Sequence, residues 1–170
     1  AFPNIFPRLL LKNDGLILNG EHIYPLGGIS NIVTTFVNEA GYYPIINTDE
    51  YGFNNPKGLY IKNNVDIMMT GDSFSSGFSV NPEETMSSVL RSFGYNSINI
   101  GKGSNGPLFE LASIREYASI LKPKVVLWQY FKNDFDDLEG ELNSSIMRKY
   151  LMDDDFTQNL ILKQDEIDSL

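Results

Sequence analysis

The chain has 170 residues, and its 13 Lys and Arg against 22 Asp and Glu give a formal net charge of −9 at pH 7. With 42% hydrophobic residues, this length predicts one folded domain and excludes a disordered or fibrous chain. The acidic charge argues against a nucleic-acid or anionic-membrane partner, because phosphate groups attract basic surfaces. No apolar run reaches the roughly 18 residues that a membrane span needs. The absence of cysteine excludes disulfides, thiolate metal ligands and cysteine nucleophiles.

Residues 1–60 are rich in Asn, Pro, Gly and aromatic residues and show no sustained helical period. Turn-forming clusters at 26–28 and 51–56 interrupt them. We predict an irregular arm with short strands that packs on the core of a domain formed by residues 61–170. Because the chain opens at Ala1 without an initiator Met, we expect any signal or anchor segment to have been removed.

From residue 65 the pattern alternates between strands and helices. The predicted strands are 65–70, 96–100 and 125–131. Four helices are predicted, at 82–93, at 107–121, and near 139–152 and 157–169. Asn81 caps the first, whose apolar positions are Met86, Val89, Leu90 and Phe93. Pro107 opens the second. This alternation predicts an α/β fold with a three-layer, doubly wound parallel sheet. The nearly unbroken apolar run 125–131 is typical of a strand covered on both faces.

Each predicted strand ends in a polar or Gly-rich loop. These loops are 71–77, 101–106 and 132–134. Ligands of open α/β sheets bind at the carboxyl ends of the strands, so we expect the three loops to converge. A strand-to-helix turn at Ser73 can present a hydroxyl beside backbone N–H groups, which is the arrangement that acyl chemistry requires.

The ordered set Gly71-Asp72-Ser73-Phe74, then 99–107, then Asn133-Asp134 resembles blocks I, II and III of the SGNH/GDSL hydrolases. The flanking segments 49–56 and 121–128 are similar to bacterial SGNH-like proteins that carry an N-terminal arm, so the resemblance covers roughly residues 24–170. It implies a flavodoxin-like SGNH hydrolase fold, incomplete in this chain. It also implies a serine esterase or O-acyltransferase acting on small or carbohydrate-linked acyl esters, without a cofactor or a metal.

The resemblance assigns the roles residue by residue. Ser73 would be the nucleophile, and the oxyanion would be bound by the Ser73 N–H, a backbone N–H at Gly103 or Ser104, and the Asn133 amide. Asp72 and Asp134 would be structural supports. The family's frequent work on envelope glycans favours an extracytoplasmic address, periplasmic or secreted.

The sequence departs from the family pattern at three places. Ser104 stands where the family usually has Gly, and Lys132 stands where a Gly normally precedes the block III Asn. The family's general base is a C-terminal His, usually three residues after an Asp, whereas the single His here is His22, upstream of every block. We therefore expect either a piece of a longer hydrolase, which we favour, or a degenerate member, and almost no activity in the chain itself because the base is missing.

Two other functions stay open. A non-catalytic module on the same fold could bind a glycan or a partner protein, and a homo-oligomer is also left open. Residues 101–106 match Gly-x-Gly-x-x-Gly after a strand, which allows a nucleotide-binding α/β protein, although no acidic residue follows at the spacing that a ribose would need. The acidic runs around Asp136 and Asp154 lack the Gly and Glu of a calcium loop and are typical of solvated faces.

Overall fold

The computed structural model describes residues 15–36 and 38–169 and shows a mixed α/β architecture. Residues 1–14 of the predicted arm lie outside the described part. The strands are β1 Leu16–Leu18, β2 Glu21–Ile23, β3 Val33–Thr35, β4 Ile45–Asn47, β5 Ile67–Thr70, β6 Ser97–Asn99 and β7 Val125–Trp128. The helices are α1 Ser73–Ser76, α2 Met86–Ser92, α3 Pro107–Ser113, α4 Ser119–Leu121, α5 Asp134–Glu141, α6 Ser145–Met152 and α7 Gln164–Asp168. Across the described residues, none of the helices is long and apolar enough to cross a bilayer.

The central sheet has three strands in the order β6-β5-β7, and both neighbours run parallel to β5. Met68 pairs with Ile98 on one side and with Val126 on the other. The predicted parallel sheet is therefore confirmed, with strands shorter than the segments predicted for them. The arm adds two antiparallel hairpins, β1-β2 and β3-β4.

The two edges of this sheet differ. The outer edge of β6 is occupied by side chains: Asn55 bonds the N–H and C=O of Asn99, and Arg91 donates to the carbonyl of Ser97. The outer edge of β7 has no described partner strand, and all four β7 residues are exposed. The expectation that this strand is covered on both faces is wrong here, because all four of its residues remain 37–48% exposed although Trp128 bonds Glu110 of α3.

The helices after β5 and β6 lie in the predicted regions, but their bounds and their continuity differ from the prediction. Residues 107–121 form one helical stretch, which contains a single π turn at Ile114–Ala118 between α3 and α4. The predicted helix at 82–93 is instead a short 3₁₀ turn, Pro82–Glu84, followed by α2, because Thr85 caps a new helix by accepting from the N–H of Ser88. The stripe Met86, Val89 and Phe93 faces outward rather than into the core.

The C-terminal segment is more broken than the sequence predicted. α5 begins at Asp134, directly after Asn133, rather than near 139. The predicted helix 139–152 is divided at 142–144, since the side chain of Ser144 caps a separate α6 by accepting from Met147. The predicted helix 157–169 is a 3₁₀ turn, Leu160–Lys163, followed by the short α7.

The arm shares the main core. Ile23, Leu26 and Phe53 belong to the same buried cluster as Met68 and Ile98. The arm is also bonded to the C-terminal segment: the N–H of Ser30 donates to Asp168 over 2.8 Å, and the Ser30 hydroxyl donates to the same carboxylate. The N–H of Tyr24 donates to the side chain of Gln158 over 2.7 Å.

Candidate functional site

Three loops meet at the carboxyl ends of the parallel strands. We define them as loop I (71–77), loop II (101–106) and loop III (129–133). The N–H of Lys102 donates to the carbonyl of Gly71 over 3.1 Å, which joins loops I and II. The rings of Phe74 and Phe131, with centroids 4.4 Å apart, join loops I and III. The predicted convergence of the loops is found.

Glycine allows this close approach. A Cβ at Gly101 would lie 2.7 Å from the Ser75 hydroxyl and 2.9 Å from the carbonyl of Gly71. Gly71 has φ +154, and a Cβ there would lie 3.0 Å from the carbonyl of Gln129. Side chains at either position would separate the three loops, so the two glycines serve the packing of the site.

Ser73 begins α1, and its side chain is half-buried. Asp72 caps this helix by accepting from the N–H of Phe74 over 2.9 Å, and it is only 2% exposed. Within the described residues, neither the N–H nor the hydroxyl of Ser73 makes a hydrogen bond. The predicted nucleophile thus follows a buried cap residue, and its N–H and hydroxyl are available while its carbonyl accepts from Ser76 and Phe78.

Gly103 and Ser104 lie on opposite sides of loop II. Gly103 packs on the ring of Phe78, which a Cβ would approach to 3.0 Å, and it lines an apolar cavity between loop II and the arm. Ser104 is exposed, and it lines a small cleft with Asp137. Its φ is +71, the left-handed conformation that favours glycine.

Loop III places Asn133 and Asp134 at the start of α5. The side-chain amide of Asn133 donates to Asp137 over 2.9 Å, so this donor is directed along its own helix. The amide carries a second N–H, which makes no hydrogen bond within the described residues and stays able to donate to an oxyanion. Asp134 is fully buried and accepts from the N–H of Phe131 over 2.7 Å, which fixes the turn of loop III.

His22 lies elsewhere. It is an exposed residue of β2 and lines a surface cleft with Lys149 and Phe156. Neither Ser73 nor any residue of loops II and III lines that cleft. The structure therefore joins loops I, II and III through the contacts of Gly71 with Lys102 and of Phe74 with Phe131, whereas Gly103 and Ser104 line two separate cavities that Ser73 does not line. The single imidazole of the chain lies at a different cleft.

Sequence reasoning missed a buried network beneath loop I. Asn99 donates to the carbonyl of Ser75 over 2.7 Å, and its side-chain oxygen accepts from the N–H of Gly101 over 2.8 Å. The Asn55 amide donates to Asp49 over 2.7 Å, and burial raises the pKa of this carboxyl to about 6. The one available signal was the alternation of polar Ser97 and Asn99 with apolar Ile98 and Ile100, all four of which are buried. The network fixes loops I and II to the arm.

A second group of buried carboxyls lies along α3 and α5. Trp128 donates its indole N–H to Glu110, whose pKa burial raises to about 7. Burial also raises the pKa of Asp134, and the negative charge of Asp72 adds to this effect. Among the described residues, one carboxyl oxygen on each of Glu110 and Asp134 has no hydrogen-bond partner. No group of three His, Cys, Asp or Glu within residues 15–36 and 38–169 could hold a metal ion.

The N-terminus of α3 is already occupied. Glu141 accepts from the N–H groups of Gly106 over 2.6 Å, Leu108 over 2.8 Å and Phe109 over 3.4 Å. These are the donors that would hold a phosphate after a Gly-rich loop. The carboxylate of Glu141 therefore stands where the nucleotide hypothesis needs an anionic ligand.

Comparisons with known proteins give no match: no protein-family model, no curated protein and no solved structure resembles this chain closely enough to be reported.

Proposed function

We propose that this chain carries the nucleophile and the oxyanion-binding loops of an SGNH-type serine esterase or O-acyltransferase. The observation that carries the proposal is the junction of loops I and II, where the N–H of Lys102 donates to the carbonyl of Gly71, two residues before Ser73. The hydroxyl and the N–H of Ser73 make no hydrogen bond within the described residues, so both are free to act on a substrate.

The strand order supports the finer assignment of the fold. Numbered by their position in the chain, the three parallel strands run 2-1-3 across the sheet. This is the beginning of the flavodoxin-like order 2-1-3-4-5, in which ligands bind at the carboxyl ends of the strands. Ser73 and loops II and III are at those ends.

The proposed reaction begins when the Ser73 oxygen attacks the carbonyl carbon of an ester. The hydroxyl proton passes to a base, and the negative charge on the carbonyl oxygen is stabilised by the N–H groups of Ser73 and of Gly103 or Ser104. Collapse of the intermediate breaks the bond between the carbonyl carbon and the alcohol oxygen. The alcohol takes the proton back from the base and leaves, and the acyl group stays on the Ser73 oxygen. Water or an acceptor hydroxyl then removes the acyl group.

The substrate class is a small or glycan-linked acyl ester. The mainly apolar cavity beside Gly103, lined by Phe36, Ile46 and Phe53, supports an acyl group as the part of the substrate bound there. A nucleotide is disfavoured because Glu141 occupies the N-terminus of α3.

A binding module without catalysis is the second candidate. One observation favours it: the single imidazole of the chain, that of His22, lies in a cleft that Ser73 does not line. Such a module would use the same loops to hold a glycan or a partner protein, and Ser73 would then have no special reactivity.

The deciding experiment is covalent labelling with a fluorophosphonate, with free imidazole added as the base that the described site lacks. We expect imidazole to accelerate labelling of Ser73 about tenfold or more over the other serines, with the modified residue identified by peptide mass spectrometry. Ser73→Ala should remove this adduct, whereas Ser92→Ala, which changes an exposed serine of α2, should not. Labelling that is equal across the serines, or that imidazole does not accelerate, would support the binding module.

A further inference from the structure

A cleft of about 540 Å³ lies between the arm and the segment that contains α2. Arm residues between positions 43 and 57 line it together with residues between positions 81 and 91. The cleft is beside β6, since Arg91 and Asn55, which both line it, bond the main chain of this strand. Its volume is that of a ligand pocket, for which about 300–1,000 Å³ is usual.

Arg91 brings a half-buried cation to this cleft. Its guanidinium donates to the carbonyl of Ser97 over 2.8 Å and to the hydroxyl of Ser88 over 2.6 Å. No ion pair joins it to a carboxylate in the described part of the chain, and burial lowers its pKa. A guanidinium has five N–H donors, so three of them remain for a ligand. A bound anion would stabilise this charge, because a cation that leaves water without a partner is costly.

Lys57 adds a second positive charge to the lining. It is exposed, and its ammonium makes no ion pair among the residues described. Glu83 also lines the cleft, so two cations stand there against one described carboxylate. The whole chain has a net charge of −9 and repels anions. The cleft is therefore a place where the local charge favours an anionic ligand.

An aromatic ring and a side-chain amide complete the lining. Tyr43 is 63% exposed, and Asn47 is exposed beside it on the lining of the cleft. An amide both donates and accepts, so it can bond a sugar hydroxyl in either sense. The flat face of a tyrosine packs on the apolar C–H face of a sugar ring while its hydroxyl stays in water. These two side chains are suited to a saccharide.

Asn54 connects the cleft to the proposed acyl site. It lines both this cleft and the mainly apolar cavity beside Gly103. Its amide donates to the carbonyl of Ser76 in loop I over 3.1 Å. One side chain therefore separates the cleft from that cavity.

We propose that this cleft binds an acidic saccharide, with the anionic group of the sugar held by Arg91 and Lys57 and a face of the sugar packed on Tyr43. The anionic group is a carboxylate or a sulfate ester, since a guanidinium donates to planar and tetrahedral oxyanions alike. Binding in the cleft needs no reactive serine, so a failure to label Ser73 would leave this proposal standing.

Isothermal titration calorimetry with three oligosaccharides tests the proposal. They are tetragalacturonate, a sulfated galactotetraose and neutral galactotetraose, which separate a carboxylate from a sulfate and both from the sugar alone. We expect at least one acidic compound to bind about tenfold or more tightly than the neutral one, and its affinity to fall as salt is added. Equal affinities for the three compounds, or no binding of either acidic one, would overturn the proposal.

Two pairs of variants locate the binding. Lys57→Gln should weaken binding of the acidic saccharide about fivefold, whereas Lys62→Gln, which removes the same charge from an exposed position outside the cleft, should not. Tyr43→Ala should weaken it about tenfold, and Tyr95→Ala, at another exposed tyrosine outside the cleft, should leave it unchanged. All four positions are exposed, so we expect the variants to fold. Equal losses within either pair would overturn the proposal.

Discussion

The side chain of Asn55 replaces a missing strand for Asn99. Its oxygen accepts from the N–H of Asn99 over 2.8 Å, while its amide donates to the carbonyl of Asn99 over 2.8 Å and to Asp49 over 2.7 Å. One arm residue thus ends the sheet at β6 and fixes the position of the residue that orients Ser75 and Gly101 in the site loops.

Removing this side chain should destabilise the fold. We expect Asn55→Ala to lower the free energy of unfolding by about 3 kcal/mol, because it leaves the buried N–H and C=O of Asn99 and one oxygen of Asp49 with fewer partners. Urea unfolding measures the change. Asn38→Ala, at an exposed position of the arm, should change stability by less than about 0.5 kcal/mol. A loss for Asn55→Ala no larger than this control would contradict the assigned role.

The backbone of loop II predicts a stabilising substitution. Ser104 has φ +71, a conformation that costs an L-residue about 1 kcal/mol relative to glycine. Ser104→Gly should therefore raise the free energy of unfolding by about 1 kcal/mol. Ser104→Ala keeps the Cβ and should have little effect, so thermal melts of the two variants separate backbone strain from loss of the hydroxyl.

Glu141 should contribute strongly to the free energy of unfolding, because it lies on α5 and caps the N-terminus of a different helix, α3. It accepts from three N–H groups at the N-terminus of α3. Glu141→Ala leaves these buried donors unpaired, and we expect it to cost about 2–3 kcal/mol in urea unfolding. Its neighbour Glu139 is exposed and makes no such contact, so Glu139→Ala should be nearly neutral. Equal losses in the two variants would show that the cap is unimportant.

Glu110 should make stability depend on pH. Burial raises its pKa from 4.5 to about 7 in the folded chain, so the folded state holds this proton more tightly than the unfolded state. The contribution of Glu110 to the stability of the folded chain is full below about pH 4.5 and is lost as the pH rises to about 7. We expect the urea midpoint to fall over this range, and Glu110→Gln to reduce the fall.

A second readout of the same ionisation comes from Trp128, the single tryptophan of the chain, which donates to Glu110. Its fluorescence should titrate with a midpoint near the Glu110 pKa, and this transition should vanish in Glu110→Gln. Asp72, Asp134 and Glu141 also face Glu110 electrostatically, so the exposed substitution Glu139→Gln is the control. A transition that persists in Glu110→Gln would assign the titration to one of these other carboxyls.

The sequence was informative where a local rule determines the conformation. Pro107 opens α3, apolar runs mark β5 and β7, an alternating polar and apolar pattern marks β6, and the loops that follow these strands meet as the carboxyl-end rule predicts. Ser73 is found at the start of a helix with Asp72 as its cap.

Tertiary contacts determine the features that the sequence did not predict, and the periodicity of apolar residues does not reveal those contacts. The α2 stripe of Met86, Val89 and Phe93 has the spacing of a core face, yet the contacts of Ser88 and Arg91 with Pro82 and Ser97 turn it outward. The run in β7 is apolar, but nothing in a single strand tells whether both of its faces are covered. The sequence places several acidic acceptors near Asn133, and only the folded chain shows that its amide donates to Asp137.

The bonds from Ser30 to Asp168 have a consequence for how the molecule reaches its native state. They join residues 138 positions apart, and Tyr24 is joined to Gln158 across 134 positions. Contacts of such sequence separation form slowly, since closure of a long loop precedes any gain. The bonds of Tyr24 and Ser30 therefore form only after the ribosome has delivered residues 158–168, whereas Asn55 can bond Asn99 as soon as β6 has been made. A partly synthesised chain would hold one end of the arm on the sheet and leave residues 24–30 without these partners.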